Sequence, residues 1–388
     1  MSSQFLADHV ESLKPSGIRK FFDLASKMEN VISLGVGEPD FVTPWNVIEA
    51  SYHSLEQGYT AYTANAGLIE LREEISKYLQ ETFSIQYDPE NQLLVTVGAS
   101  QAIDLALRAI LNPGEEVIVV EPCFVSYGPA VSLAGGVPIT VSALPENEFK
   151  VTPEQIEAAI TPQTKAVILC SPNNPTGAVL SKEELQGIAG VVKERNIMVL
   201  SDEIYAELSY DEKAASIASV DGMEAHSIVI SGFSKSFAMT GWRLGYVAAP
   251  TDLIAAMTKI HQYTIMSAPT MAQYGALEAL RSGNDSVLEM RESYRQRRNF
   301  VVKELNEMGL DCHLPGGAFY VFPSIKSTGL HSEEFAQKLL EEQRVAVVPG
   351  HVFGESGEGH IRCSYAASIK QLREAMGRMK RFVEQYQG

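Results

Sequence analysis

From about residue 93 the chain alternates short β-branched apolar runs with amphipathic stretches: QLLVTVG, ASQAIDLALRAIL, EEVIVVE, SYGPAVSLAG and VPITVSA follow one another. Such alternation builds βα units around a mainly parallel sheet, because parallel neighbours need a crossover long enough to hold a helix. It continues through KAVILC at 165–170, SKEELQGIAGVVKERN at 181–196, IMVLSDE at 197–203 and SIVISG at 227–232, with RLGYVAA at 243–249 as one more candidate strand. Most of these runs are apolar throughout, so helices are expected on both faces. Beyond about 285 the pattern changes to a long charged helix, VLEMRESYRQRRNFVVKELNEMG, then short strands in AFYVFPSI, RVAVVPG and GHIRCSYA, and a closing helix from about Ser368. The expected organisation is a large domain at 45–284 and a smaller α+β domain made of 1–44 and 285–388, which a chain of 388 residues can supply with two cores.

Composition narrows the partners. Apolar residues make up 45% and charged residues 20% of the chain, a globular balance, and no run of about eighteen apolar residues could span a bilayer. Lys and Arg number 31 against 48 Asp and Glu, a formal charge of −17 that repels nucleic-acid phosphates and anionic lipid. Neither nucleic acid nor a membrane is expected as a partner, and an anionic ligand would need a local basic pocket. The opening MSSQFLADHVESLKPSGIRKFF has no apolar stretch followed by a small-residue cleavage site, so the expected location is cytoplasmic. Cys123, Cys170, Cys312 and Cys363 are scattered without paired spacing, as free thiols in a reducing compartment would be. No HExxH spacing and no GxSxG elbow occurs, so no metal is expected and serine hydrolysis has no support.

Chemistry-bearing residues collect where the strand runs end. In CSPNNPTG a strand ends at Cys170, and Pro172, Pro175 and Gly177 forbid its continuation; Asn173 and Asn174 are left on a rigid loop at the rim where open α/β sheets bind ligands. In IMVLSDEIY a buried strand ends in Asp202 and Glu203, with Tyr205 behind. A carboxylate there needs hydrogen bonds or a cation, since unpaired burial is costly. In SGFSKSFAMTGWRLGY, Lys235 follows the next apolar strand, so Asp202 and Lys235 are expected on one rim, and a partly desolvated lysine attacks carbonyls. VTVGASQAIDLAL places Ala99 and Ser100 at a helix start, where backbone N–H groups and the dipole attract phosphate. It is neither a Walker loop nor GxGxxG, and GVGEPD at 35–40 lacks the third glycine, so nicotinamide binding is not supported. Arg362, in GHIRCSYA, carries the planar guanidinium that clamps a carboxylate. Each feature alone also fits a plainer role: a turn, a capping aspartate, a snorkelling lysine or a surface salt bridge.

Together, and in this order, the segments resemble the class I aminotransferases of the fold-type I pyridoxal-phosphate enzymes, in the style of aromatic and broad-specificity aminotransferases of archaeal and Bacillus type. The resemblance runs from about SGIRKFFDLA to the C-terminal helix and rests on GVGEPDF, YTANAGLIELRE, SPNNPTG, SDEIY, GFSKSFAMTGWRLG and IRCSYA. It implies a large cofactor-binding domain whose mainly parallel seven-stranded sheet is covered by helices, with a smaller α+β domain beside it. It further implies three catalytic residues: Lys235 would hold pyridoxal 5'-phosphate at its aldehyde carbon and move the proton at the substrate Cα, Asp202 would pair with the protonated pyridine nitrogen, and Tyr205 would hydrogen-bond the ring's phenolic oxygen together with Asn174. Phe124 would stack on the ring. Arg243, with Ala99, Ser100 and Ser234, would bind the phosphate. Arg362, Asn174 and the backbone of Gly37 would bind the substrate carboxylate. Tyr62 would reach the phosphate of a neighbouring subunit's cofactor, which makes a homodimer with shared active sites part of the expectation.

Two positions depart from the family pattern. Many relatives carry a phosphate-binding serine three positions before the lysine; this chain has Gly232, so Ser234 or another hydroxyl is expected to take over. The stacking position, often Trp or Tyr, is Phe124, which keeps the π face and loses the polar handle. The implied reaction is a ping-pong transfer of an amino group between an L-amino acid of aromatic, alanine or aspartate type and a 2-oxo acid such as 2-oxoglutarate. A β-eliminating lyase on the same scaffold stays open. A ligand sensor fused to a DNA-binding module is disfavoured by the negative charge.

Overall fold

The computed structural model describes residues 5–15, 17, 26 and 28–387; the start of the family resemblance at 16–25 lies, apart from Gly17, outside them. Its strands are β1 (Ile32–Ser33), β2 (Leu93–Thr96), β3 (Glu116–Glu121), β4 (Val137–Ser142), β5 (Thr164–Cys170), β6 (Met198–Asp202), β7 (Ser227–Gly232), β8 (Gly245–Ala248), β9 (Tyr320–Val321), β10 (Val345–Ala346), β11 (Val348–Pro349) and β12 (Ile361–Ser364). Strands β2 to β8 form one seven-stranded sheet in the order β2-β8-β7-β6-β5-β3-β4. Pairing is parallel except along β8, which runs antiparallel to β2 and β7. This is the α/β architecture that the alternation of runs predicts.

The sheet is buried on both faces, which is why its strands read as apolar throughout. Val117, Val119, Ala166, Ile168 and Leu200 pack on one side with Ala102, Leu105 and Ala106 of the helix Gly98–Ile110. Their strand neighbours Ile118, Val167, Leu169 and Val199 pack on the other, against Leu185, Ile188 and Val192 of the helix Lys182–Glu194. Each of the Val, Leu and Ile side chains among them stabilises the fold by roughly 1.5–3 kcal/mol relative to exposure. That helix begins at a capping box, with Ser181 and Glu184 satisfying each other's backbone N–H groups. The edge strand β4 is the least covered, with Val137, Thr140 and Ser142 exposed and only Val141 buried.

The C-terminal part forms a separate core. The helices Asn284–Glu307, Ser332–Gln343 and Ile369–Tyr386 pack around a three-stranded antiparallel sheet, β11-β12-β9, and a two-stranded parallel pair, β1-β10. Here the strands are shorter than the sequence runs suggest. AFYVFPSI is strand only at Tyr320–Val321, and RVAVVPG divides into β10 and β11, which join different sheets. Pro323 and Pro349 lack the N–H a longer ladder needs. The closing helix starts where expected, with Ser368 as its N-cap in a second capping box. Among the described residues no helix is long and apolar enough to cross a membrane.

Candidate active site

Three neighbouring strands deliver three side chains to one rim. Register pairs Cys170 with Asp202 and Asp202 with Ile230, so the loops after β5, β6 and β7 emerge side by side. They carry Asn174, Tyr205 and Lys235, with Asp202 itself the last residue of β6. A fourth strand closes the rim: β8 pairs with β2 through Thr96 and Gly245, which brings Arg243 against the start of the helix Gly98–Ile110. The result is a cavity of about 750 Å³ lined by Gly37, Ala99, Ser100, Phe124, Asn174, Asp202, Tyr205, Ser234, Lys235, Arg243 and Arg362. Residues scattered over 326 positions of sequence thus meet at one cavity.

Asp202 is buried; its Oδ2 accepts from the Tyr127 hydroxyl at 2.6 Å and its Oδ1 from the Ile204 N–H at 3.2 Å. It therefore caps a turn and faces the cavity at once. Burial pushes its carboxyl above the usual value, while Tyr127, the Ile204 N–H and the charge of Lys235 pull it back. Among the described residues no cation lies within ion-pair distance of it, so the carboxylate is complete only when the cavity holds a positive group.

Lys235 donates from Nζ to the Gly37 carbonyl at 2.7 Å. Desolvation lowers its pKa to about 8, with Arg362 and Arg243 adding to the effect and Glu38 and Asp202 opposing it. A neutral amine is then accessible near neutral pH, which is what nucleophilic attack and proton transfer require. Arg362 is fully buried between rings, its guanidinium carbon 4.5 Å from the Tyr320 centroid and 4.8 Å from that of Phe353. It donates to Asn174 Oδ1 at 2.9 Å and to the Gly35 carbonyl at 2.7 Å, while its Nε has no partner. A buried charged donor without an acceptor is costly, and an incoming carboxylate would satisfy it.

The anion end is built from backbone. Gly98 has φ of 74°, and a Cβ there would stand 2.7 Å from Arg243 Nη2, so only glycine lets the guanidinium approach the helix start. That helix has no side-chain cap, leaving its first N–H groups open beside Ala99 and Ser100. The departure at Gly232 also has a physical basis. Gly232 pairs with Gly245 across β7 and β8, and a Cβ on it would lie 2.8 Å from the Gly245 Cα, so a serine there would displace the neighbouring strand. Ser234 lines the cavity instead.

The structure sorts other expectations. Asn173 serves the loop, its Nδ2 donating to Pro122 O and Thr176 Oγ1, whereas Asn174 faces Arg362. Gly37 engages Lys235 through its carbonyl rather than presenting only an N–H. Tyr62 is 79% exposed and does not line the cavity of its own chain. Sequence reading missed Tyr127, which holds Asp202, and Tyr320, whose hydroxyl lies 2.9 Å from that of Tyr205. Neither stands in a recognisable motif; Tyr127 opens a helix three residues after Phe124, and Tyr320 sits in the apolar run of β9.

Glu203 points away from the rim. Its Oε1 accepts from Ser201 Oγ at 2.8 Å and Ser216 Oγ at 2.7 Å, and burial pushes its carboxyl up to about 7 despite these bonds. The folded chain therefore holds a proton that the unfolded chain releases above the ordinary carboxylate value of 4.5. Stability from this group is complete below that value and is lost as pH rises to about 7. Glu203→Gln is expected to flatten this decline, by up to about 3 kcal/mol. Urea midpoints of both proteins measured between acid and neutral pH check it, and parallel curves would contradict it.

Comparison with known proteins supports the same chemistry. The family described as aminotransferase class I and II matches residues 29–379. "Putative aminotransferase YugH" of Bacillus subtilis (strain 168) is 64% identical over 381 residues, which cover 98% of this chain and 99% of the relative. Aromatic-amino-acid aminotransferase 2 of Thermococcus litoralis is 47% identical over 383 residues, 98% of each chain. The aspartate aminotransferase of Thermus thermophilus, solved with maleate, superposes with a TM-score of 0.93 at 40% identity, covering 98% of this chain and all of that one (100%).

Proposed function

This chain belongs to the class I and II aminotransferase family, and from that premise we propose a ping-pong transfer of the amino group of an L-amino acid to a 2-oxo acid such as 2-oxoglutarate, with Lys235 as the residue that moves the proton. The enzyme is an aminotransferase and its family depends on pyridoxal phosphate. The residues present fit that cofactor: a buried carboxylate without a cation, a helix start left uncapped beside Arg243, and a cavity of about 750 Å³ between them. The observation that carries the proposal is the convergence of Lys235, Asp202 and Arg362 on that cavity.

We assign the cofactor to the domain at 45–284. Arg243, Ser234 and the N–H groups of Ala99 and Ser100 would hold its phosphate, Asp202 its pyridine nitrogen, Asn174 and Tyr205 its phenolic oxygen, and Phe124 its ring face. When bound, the cofactor supplies an aldehyde for the amino group and a ring that accepts the electrons of the Cα–H bond. Arg362 draws in the substrate carboxylate, exchanging its bond to the Gly35 carbonyl and its unpartnered Nε for the two parallel bonds a carboxylate offers. This fixes the substrate Cα relative to Lys235. Lys235 then removes the Cα proton as a neutral amine and returns it as an ammonium, a role suited to its lowered pKa of about 8. Tyr127 keeps the Asp202 carboxylate oriented throughout.

We infer a homodimer with shared sites from the exposed apolar side chains. Val42, Trp45, Tyr52, Tyr62 and Tyr263 are between 62% and 86% exposed, and the loop around Tyr62 is joined to the segment after Tyr263 by bonds from Asn65 to Met266 and from Thr270 to Ala61. Exposed apolar side chains of this size on a chain of charge −17 fit a second copy of itself, and in such a dimer Tyr62 would serve the partner's site. The cytoplasm is the proposed location. A panel of L-amino acids with 2-oxoglutarate tests the function: glutamate should form with donors of aromatic, alanine or aspartate type. Failure of every donor would contradict it, as would monomeric sedimentation for the shared site.

A further inference from the structure

Tyr320 lies at a junction of the groups proposed to act. It is 1% exposed and sits on β9, paired through Ser364 with β12, the strand that carries Arg362. Its ring carries the Arg362 guanidinium at 4.5 Å, and its hydroxyl lies 2.9 Å from that of Tyr205. A Cβ on Gly37 would stand 3.0 Å from the same hydroxyl, so the Tyr320 hydroxyl also packs against the segment that receives Lys235. Ring and hydroxyl thus face different partners.

We propose that Tyr320 is a positioning residue with two separable tasks: its ring face seats Arg362 for the substrate carboxylate, and its hydroxyl donates to Tyr205 so that Tyr205 is free to donate to the cofactor's phenolic oxygen. This rests on the reading of Tyr205 and Arg362 given above. A hydroxyl has one proton, so if Tyr205 gives its own to the phenolic oxygen, the bond between the two tyrosines must run from Tyr320 to Tyr205. Chained donors strengthen one another, so Tyr320 makes Tyr205 the better donor and favours the ionised phenolic oxygen. Burial pushes both tyrosine hydroxyls above their usual pKa, so each retains its proton across the working range. The ring contributes separately, because a desolvated guanidinium over an aromatic face is held in place by cation–π attraction.

The two tasks come apart in two variants of the holoenzyme. Tyr320→Phe keeps the ring; the pH midpoint of the visible absorbance titration should rise by roughly half to one unit, with the donor KM unchanged within about twofold. Tyr320→Leu loses both, and the donor KM should also rise by about tenfold. Should the leucine variant not fold, Tyr320→Met replaces it. A phenylalanine variant that titrates as the wild type overturns the hydroxyl task, and a leucine variant with the KM of the phenylalanine variant overturns the ring task. Tyr205→Phe separates the layers: if it moves the midpoint and Tyr320→Phe does not, only the link is wrong, whereas if Tyr205→Phe leaves the midpoint in place, the reading of Tyr205 and this proposal fall together.

Discussion

Replacement of Lys235 by alanine is expected to abolish the visible absorbance band formed when pyridoxal phosphate is added to the protein, and to lower turnover by on the order of 10⁴-fold or more. The size follows from the number of tasks on one amine. Lys235 stands with its Nζ against the Gly37 carbonyl, within the field of Arg362 and Arg243, and its pKa is lowered to about 8 chiefly by burial. No other amine lines the cavity among the described residues, so nothing substitutes for it as the group that meets an aldehyde and then carries the proton. The alanine variant should fold, because shortening a side chain at a cavity wall opens space without leaving a charge behind. Normal turnover in that variant would end the assignment.

Asp202→Asn carries the second large effect. Asparagine keeps the size and its one oxygen can still accept from Tyr127, while its amide nitrogen replaces the oxygen that accepts from the Ile204 N–H; it also removes the charge proposed to answer a protonated pyridine nitrogen. Breaking a buried ion pair in this way costs about 3–5 kcal/mol, so kcat/KM should fall by roughly 10²- to 10⁴-fold. The loss should appear in kcat rather than donor KM, since Asp202 does not meet the substrate in the proposed arrangement. The stability of the free protein should change little in the same variant, because a neutral amide escapes the desolvation that raises the Asp202 carboxyl but leaves the Ile204 N–H facing an amide nitrogen. A large loss of activity with little change in stability would be hard to produce by general damage to the fold.

The sheet was legible because burial on both faces leaves a strong mark: Val117 and Ile118 face opposite helices, and both must be apolar. The small sheets left a weaker mark. Strands of two residues such as Tyr320–Val321 cannot show a period, and their apolar neighbours Phe319 and Phe322 belong to the core without belonging to a strand. For the site, Lys235, Asp202, Asn174 and Arg362 stood out because charges and amides in or at the ends of apolar runs contradict their surroundings, whereas the role expected of Arg243 came only with the family resemblance. Tyr127 and Tyr320 do not contradict theirs. A tyrosine in an apolar run reads as core, and only the distances of its hydroxyl to Asp202 and to Tyr205 reveal a second duty. Gly232 read as a missing hydroxyl from sequence, and in the structure it is a close crossing with Gly245.

In the proposed reaction the chain takes an amino group from one substrate and keeps it until a second arrives. Mixing the holoenzyme with an L-amino acid in the absence of any 2-oxo acid tests this most directly. The account predicts loss of the visible absorbance band together with one equivalent of the corresponding 2-oxo acid per subunit, and recovery of the band on addition of 2-oxoglutarate. Continuous release of ammonia without an acceptor would contradict it and assign the site to elimination instead.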